Sequence, residues 1–291
     1  MSDSHVRVER TGMLGDLGRS LIAVPIGILL FLASFVVLFM TEGRTNEAAV
    51  CEASLSVPSE EAGGRDGEFI SVTGTLSTSS PVGDAEYLEA GDWLLLERGV
   101  EFWAWTEHSE SESRKKVGGG TERITWYTYT QEWTTDPEDS TRFDDPNGHQ
   151  NVPATVQPAV FASRTVALDA WSFDATDANL PPPEDLTLEG LTLKGAAAAG
   201  QRNGDVVYLR PGSAEAPQVG DVRLFWRALP SGMRATVFGE GQGESLVAHM
   251  HEGDTRMFRV LRGGRDEALS ALLSEYKAVG WMGRVAGFLM M

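Results

Sequence analysis

Five histidines, one cysteine and a surplus of carboxylates are the side chains in this 291-residue chain that could hold a metal or move a proton. His249 and His251 are two apart, so on a strand they share a face, with Glu252 and Asp254 close by in sequence. That is half of a metal site. No second half is legible elsewhere, and two histidines on a strand face serve as polar surface just as well. His149 closes the run Phe143-Asp144-Asp145-Pro146-Asn147-Gly148-His149-Gln150-Asn151, which concentrates turn formers and reads as a compact loop. Acidic pairs such as Asp144-Asp145 and Glu110/Glu112 are expected by chance in a chain with 42 carboxylates. The GxSxG, HExxH, Walker A and GxGxxG patterns are absent. Cys51 stands alone, which excludes an intrachain disulfide framework and a CxxC metal knuckle. It is read as a small buried hydrophobe, with an intermolecular disulfide as the alternative. No catalytic set, cofactor site or metal site rises above these plain explanations, and the chain is read as a non-enzyme. A hydrolase centred on His149 or on His249 and His251 is the least favoured reading.

The aromatic residues are more orderly than the titratable ones. Residues 93–108 carry Trp93, Phe102, Trp103 and Trp105; residues 122–134 alternate Thr with Trp126, Tyr127, Tyr129 and Trp133. A polar stretch ending in Gly118-Gly119-Gly120 separates the two runs, so they predict a long β-hairpin with a mobile tip. Cross-strand aromatic pairs are a common way to stabilise a sheet. They also suit a contact face, and Trp103, Trp105, Tyr127, Tyr129, Trp133 and His149 form the candidate interaction surface.

The elements that must carry that hairpin begin with a membrane segment. Leu21–Met40 is twenty residues without a charge, and at about 1.5 Å per residue it crosses a hydrocarbon core of roughly 30 Å. A cleaved signal peptide would have a shorter apolar core ending in small residues, whereas this run ends in Phe39-Met40-Thr41-Glu42-Gly43-Arg44. Three arginines precede it and only Arg44 follows closely, which places residues 1–20 in the cytoplasm and residue 45 onward outside it. Lys and Arg total 24 against 42 Asp and Glu, for a net charge of −18, and residues 1–44 are balanced. The acidic excess therefore lies beyond the membrane segment, and it argues against nucleic acid or anionic lipid as the main partner of the soluble part.

Residues 45–275 read as a mainly-β domain. Residues 68–77 alternate β-branched residues around Gly74, expected to be a bulge or a close approach. Further strands are expected over 206–210, 221–228, 235–239 and 245–251, and a helix over 264–277. The Pro181-Pro182-Pro183 break is the one internal boundary, dividing the domain into barrel-like modules at 45–180 and 184–275. The first resembles a small OB-like barrel. Residues 278–291 are apolar apart from Arg284 and are read as the start of a second membrane segment, with an interfacial helix as the alternative. The fold class is membrane-anchored α+β.

Several short motifs in order carry a family resemblance: Gly27, Ser34-Phe35 and Glu42-Gly43-Arg44; Trp103 to Glu107; Tyr127, Tyr129, Glu132 and Trp133; Ser140, Phe143, His149 and Asn151; Pro217, Gly220, Asp221, Arg223 and Phe225; Gly280-Trp281, Gly287 and Met290-Met291. Pro153 comes one position later than the family pattern. In these the chain resembles the transmembrane protein 43 family, also called LUMA. The resemblance implies four membrane helices with one large domain between the first two, and this chain stops within the second. It also implies a scaffold: eukaryotic members of the endoplasmic reticulum and nuclear envelope self-associate and organise emerin and lamins. The residue usage suits a bacterial member in the inner membrane with a periplasmic domain. The partners expected are membrane lipid, further copies of the chain and other envelope membrane proteins, with no cofactor and no nucleic acid. A lipid- or small-ligand-responsive binding module is the alternative.

Overall fold

The computed structural model describes residues 3–11, 13–117, 120–253 and 255–291; Gly118 and Gly119 of the expected tip, and Asp254 beside the histidine pair, lie outside them. In chain order the principal elements are β1 (Asp3–Thr11), α1 (Met13–Glu42), α2 (Glu47–Glu52), β2 (Phe69–Thr78), β3 (Trp93–Lys115), β4 (Thr121–Thr134), β5 (Val166–Leu168), β6 (Trp171–Phe173), β7 (Val206–Tyr208), β8 (Val222–Pro230), β9 (Arg234–Gln242), β10 (Ser245–Val247), β11 (Arg259–Arg262) and α3 (Arg265–Met290).

Five strands close a small barrel. β2 pairs with β9, β9 with β10, β10 with β6, β6 with β5, and β5 returns to β2 through Leu76↔Leu168. Alternation sends Ile70, Val72 and Leu76 of β2 inward, where they meet Leu168, Trp171, Val237, Leu246 and Val260 in one buried cluster. Gly74 is a close approach rather than a bulge: a Cβ there would lie 3.0 Å from the Ser59 Cβ and would overlap the Asp169 carboxylate. The expected barrel is therefore present, and it contains the strand over residues 68–77.

Its composition differs from the expected two modules. β9 and β10 come from beyond the Pro181–Pro183 break, yet they complete the barrel begun by β2, and β11 pairs along β9. β8 likewise pairs with β3 along Val222↔Phe102 to Leu229↔Leu95 in the second, open sheet. The division at 181–183 is corrected accordingly: both sheets interleave strands from the two halves. A proline run ends strands locally but says nothing about which distant strand completes a ladder. The open sheet has its own core, in which Leu96, Val100, Phe102, Val207, Leu224 and Trp226 pack together.

α1 is one 30-residue helix with Pro25 inside it. Most of its described apolar side chains face outward, with Val24, Leu29, Leu32, Val36 and Phe39 among those at least half exposed. α3 runs antiparallel beside its end. A Cβ at Gly287 would lie 2.6 Å from a Leu38 methyl, one at Gly283 would overlap Thr41, and one at Gly280 faces Arg44 at 3.6 Å. Small residues thus let the two backbones approach. The interface closes with Arg284 on Glu42 at 2.6 Å. Where α2 and α3 meet the barrel, Cys51, Phe238, Met257, Ala268 and Leu272 form a third buried cluster.

Asp3–Thr11 form a strand rather than a separate tail. β1 pairs antiparallel with β4 from Asp3↔Tyr129 to Thr11↔Thr121, extending the hairpin into a three-stranded ribbon. Val6 and Val8 alternate along it as a strand requires, a pattern that the adjacent α1 masks in the sequence.

Candidate interaction surface on the long hairpin

β3 and β4 pair without a break from Phe102↔Thr134 to Lys115↔Thr121. The two-residue repeat puts Trp103, Trp105 and Glu107 on the same face as Tyr127, Tyr129 and Trp133, because directly opposed residues share a side. Trp103 stands opposite Trp133, with ring centroids 5.5 Å apart, and Trp133 meets Tyr208 of β7 edge-on at 5.5 Å. The Arg223 guanidinium lies 4.7 Å from the Trp133 centroid and is held there by Glu101, at 2.5 Å, and by the Tyr208 hydroxyl. Trp103 Nε1 donates to Gln131 at 3.1 Å. Trp103 and Trp133 are partly exposed, whereas Tyr208 beneath them is buried.

Further along the same face a loop covers the hairpin. Tyr129 is fully buried and donates its hydroxyl hydrogen to Glu107 at 2.8 Å, while the Asp145 backbone N–H donates to the Tyr129 oxygen at 2.9 Å. Burial pushes the Tyr129 phenol well above its ordinary range and the Glu107 carboxylate reinforces that, so it remains a donor. His149 is 4% exposed, stacks on Tyr129 at 3.9 Å and meets Trp105 edge-on at 4.8 Å. Its Nδ1 donates to the Asp145 carbonyl at 2.9 Å. The turn is fixed by Asp145, whose carboxylate accepts from the Asn147 backbone and side chain and is thereby held below the usual carboxylate range. Tyr129 and His149 therefore belong to the interior, which corrects their place in the expected contact surface. Trp103, Trp105, Tyr127 and Trp133 keep partial exposure.

Beyond Phe102 the far edge of β3 has no strand partner among the described residues, and backbone groups of Trp103, Trp105 and Glu107 are met one by one. The Trp103 N–H donates to the Asp221 carbonyl and the Gly220 N–H donates to the Trp103 carbonyl, both at 2.9 Å. Trp105 gives its N–H to Asn151 Oδ1 at 2.7 Å and receives Asn151 Nδ2 on its carbonyl at 2.9 Å, so one amide side chain imitates a strand residue. The Glu107 N–H donates to the Glu138 carboxylate at 3.1 Å. Gly220 adopts φ +95°, and a Cβ there would strike Val152. Asp221 in turn accepts from Arg210 at 2.6 Å. Spacing alone did not single out Asn151, Tyr208 or Arg223 as partners of the tryptophans, because the chain separations are long. Trp126, on the other face beside Val6, is 38% exposed and was likewise not distinguished from its aromatic neighbours.

The other candidate residues do not converge. His249 donates Nδ1 to Glu240 at 3.0 Å and stacks on Phe69 at 4.6 Å; His251 lies 3.9 Å from Glu252. Among the described residues no three His, Cys, Asp or Glu side chains group as metal ligands. Cys51 is fully buried, and burial, with Glu47 beside it, pushes its thiol up to about 12. An open groove of about 620 Å³ between barrel and sheet is lined by Leu95, Val160, Leu180, Pro182, Glu97 and Arg227.

A sequence model of the family described as transmembrane protein 43 matches residues 102–291, a span that takes in the hairpin, the Asn151 loop, Asp221, Arg223 and α3. Transmembrane protein 43 of Mus musculus is 26% identical over 318 aligned residues, covering 99% of this chain and 78% of the mouse protein. The Homo sapiens protein has the same identity and the same coverage of both chains. The Drosophila melanogaster homologue is 26% identical over 88% of this chain and 73% of its own length. No solved structure matches. With its apolar first helix and its interleaved β domain, this chain is a membrane protein of the transmembrane protein 43 family.

Proposed function

We propose that the chain is a non-enzymatic integral membrane scaffold, anchored by α1, whose β domain lies outside the cytoplasm and associates with further copies of itself or with other envelope membrane proteins. The observation that carries this is the partly exposed Trp103–Trp133 pair, braced by the buried Tyr208 and with Arg223 fixed over Trp133. Protein interfaces draw their affinity from tryptophan, tyrosine and arginine held rigidly on a packed surface. Here one side of each ring is braced by the sheet, so little conformational entropy remains to be lost on contact.

On this reading the apolar end of α3 follows α1 into the bilayer, and the head stands on the face where Glu42 and Arg44 emerge. The test is crosslinking of the full chain in membranes. Gln131→Lys puts a charge on the exposed strand position beside Trp103 and removes only the exposed acceptor of Trp103 Nε1, and Trp103→Ala removes an anchor. Both are expected to abolish self-crosslinks or the capture of a stoichiometric membrane partner, with thermal unfolding of Gln131→Lys lowered by no more than the loss of one exposed hydrogen bond. Undiminished crosslinking in both variants would overturn this surface. The groove beside Leu95 and Arg227 supports the second reading, a ligand-responsive module; a stoichiometric small molecule retained by a monomeric purified chain would favour it.

A further inference from the structure

We propose that the cleft where α1 and α3 cross binds the phosphate headgroup of an anionic phospholipid. This rests on the membrane-anchored reading above and names a ligand for it. The cleft holds about 340 Å³ and is lined by Thr41, Glu42, Arg44, Lys277, Trp281 and Arg284. Three cations face one carboxylate there, a local charge of 3 − 1 = +2 in a chain whose net charge is −18. The neighbouring carboxylates Glu47 and Glu275 share one partner, Arg259, at 3.2 and 2.6 Å, so that group carries +1 − 2 = −1 and the cleft with its surroundings keeps a net positive charge of +1.

The three cations are held differently. Arg44 is fixed: it donates to the Thr41 and Tyr276 carbonyls at 3.3 and 3.0 Å and lies 5.0 Å from the Tyr276 centroid. Neither carbonyl neutralises it. Arg284 shares its charge with Glu42 at 2.6 Å. Among the described residues Lys277 has no ion-pair partner. A phosphate meets all three from the open side of the cleft.

What selects a lipid over a soluble anion is the surface beside the cations. Phe39 is 79% exposed, Met40 66%, Trp281 66%, Phe288 69% and Leu289 83%, all on the two helices that wall the cleft. Cations just above an apolar, tryptophan-bearing belt match the layering of a phospholipid, with acyl chains along the helices and phosphate at the arginines. A free phosphate would use the charges and leave that belt bare.

The experiment releases the full chain from nanodiscs of phosphatidylcholine mixed with phosphatidylglycerol in equal amounts, and reads retained lipid by native mass spectrometry. The wild type is expected to retain phosphatidylglycerol preferentially. Lys277→Gln/Arg284→Gln should weaken that preference roughly fivefold for each cation removed. Glu42→Gln, which frees Arg284, should strengthen it. Equal retention of the two lipids, or an unchanged preference in the double variant, would overturn the proposal. Displacement of the bound lipid by inorganic phosphate would assign the cleft to a soluble anion and overturn it as well. Alkaline carbonate extraction of the same membranes separates the two readings. Release of the chain removes the anchoring and the proposal with it, whereas retention without lipid preference removes the cleft alone.

Discussion

Asp221 shows how a single motif residue is spent on architecture. Its carboxylate accepts from Arg210 and from the Gln218 backbone N–H while its own carbonyl caps the edge of β3 at Trp103. The Arg210 hydrogen bonds hold the carboxyl below its ordinary value of 3.8, against the opposing effect of burial. A carboxyl with a depressed folded value contributes stability that is fully present above the ordinary value and is lost as pH falls through the folded one. The wild type should therefore lose stability in acid, beginning below about pH 4, and Asp221→Asn should show less of that dependence. At pH 7 Asp221→Asn should cost about 1–2 kcal/mol, a charged hydrogen bond discounted for the partial exposure of Arg210. Denaturant unfolding across pH checks both; parallel acid curves for wild type and variant would refute the assignment. His149, Asn151 and Asp221 looked like candidate chemistry or loose motifs in the sequence because residue type alone does not distinguish a catalytic group from one that caps an unpaired backbone. Their meaning lies in contacts that span up to 118 positions, from Trp103 to Asp221, and local spacing carries no trace of those.

Among the elements, the hairpin and the two long helices were legible and the sheets were not. β3 and β4 alternate strictly and pair with each other across one short connection, so the period-two pattern and the glycine-rich turn were enough. The barrel depends on β2 meeting β9, with Val72 opposite Val237, and a strand's pattern tells which face is buried but not which neighbour buries it. β1 was missed because its polar alternation is short and borders an apolar helix. For the helix pair, three glycines at positions 280, 283 and 287 set the distance between α1 and α3. Gly287→Leu forces new atoms against Leu38 and should cost roughly 1–3 kcal/mol, the usual range for overpacking. Gly280→Ala, whose Cβ meets only the Arg44 guanidinium at 3.6 Å, should be tolerated. Thermal unfolding in one detergent compares them, and equal midpoints for the two variants would show that the helices do not pack as described.

At the scale of the whole molecule, the ribbon and the membrane make competing demands on the N-terminus. A bilayer crossed by α1 puts Met13 and Glu42 on opposite faces, whereas the β1–β4 ladder ties residues 3–11 to a strand rooted in the head. An open-edged, polar ribbon does not enter hydrocarbon, so one copy cannot satisfy both. Leu21–Met40 contains fourteen Leu, Ile, Val and Phe residues, which favour insertion by about 4–8 kcal/mol in all at ~0.3–0.6 kcal/mol each. β1 adds a single edge strand whose valines are half exposed and whose arginines are exposed, and ion pairs of that kind contribute little. On the proposed membrane-spanning reading the bilayer wins, and β1 is expected to part from β4 in the anchored protein. Val6→Cys with Trp126→Cys, register partners in the ladder, should therefore fail to form a disulfide in intact membranes. A cysteine at Val6 alone should react with an impermeant maleimide only from the cytoplasmic side. Cys51 adds no background to either measurement, being fully buried with its thiol pushed up to about 12. A disulfide that forms readily in membranes would place the N-terminus and the head on one face. α1 would then lie along the bilayer rather than cross it, and the scaffold would present its aromatic face to the same compartment as its N-terminus.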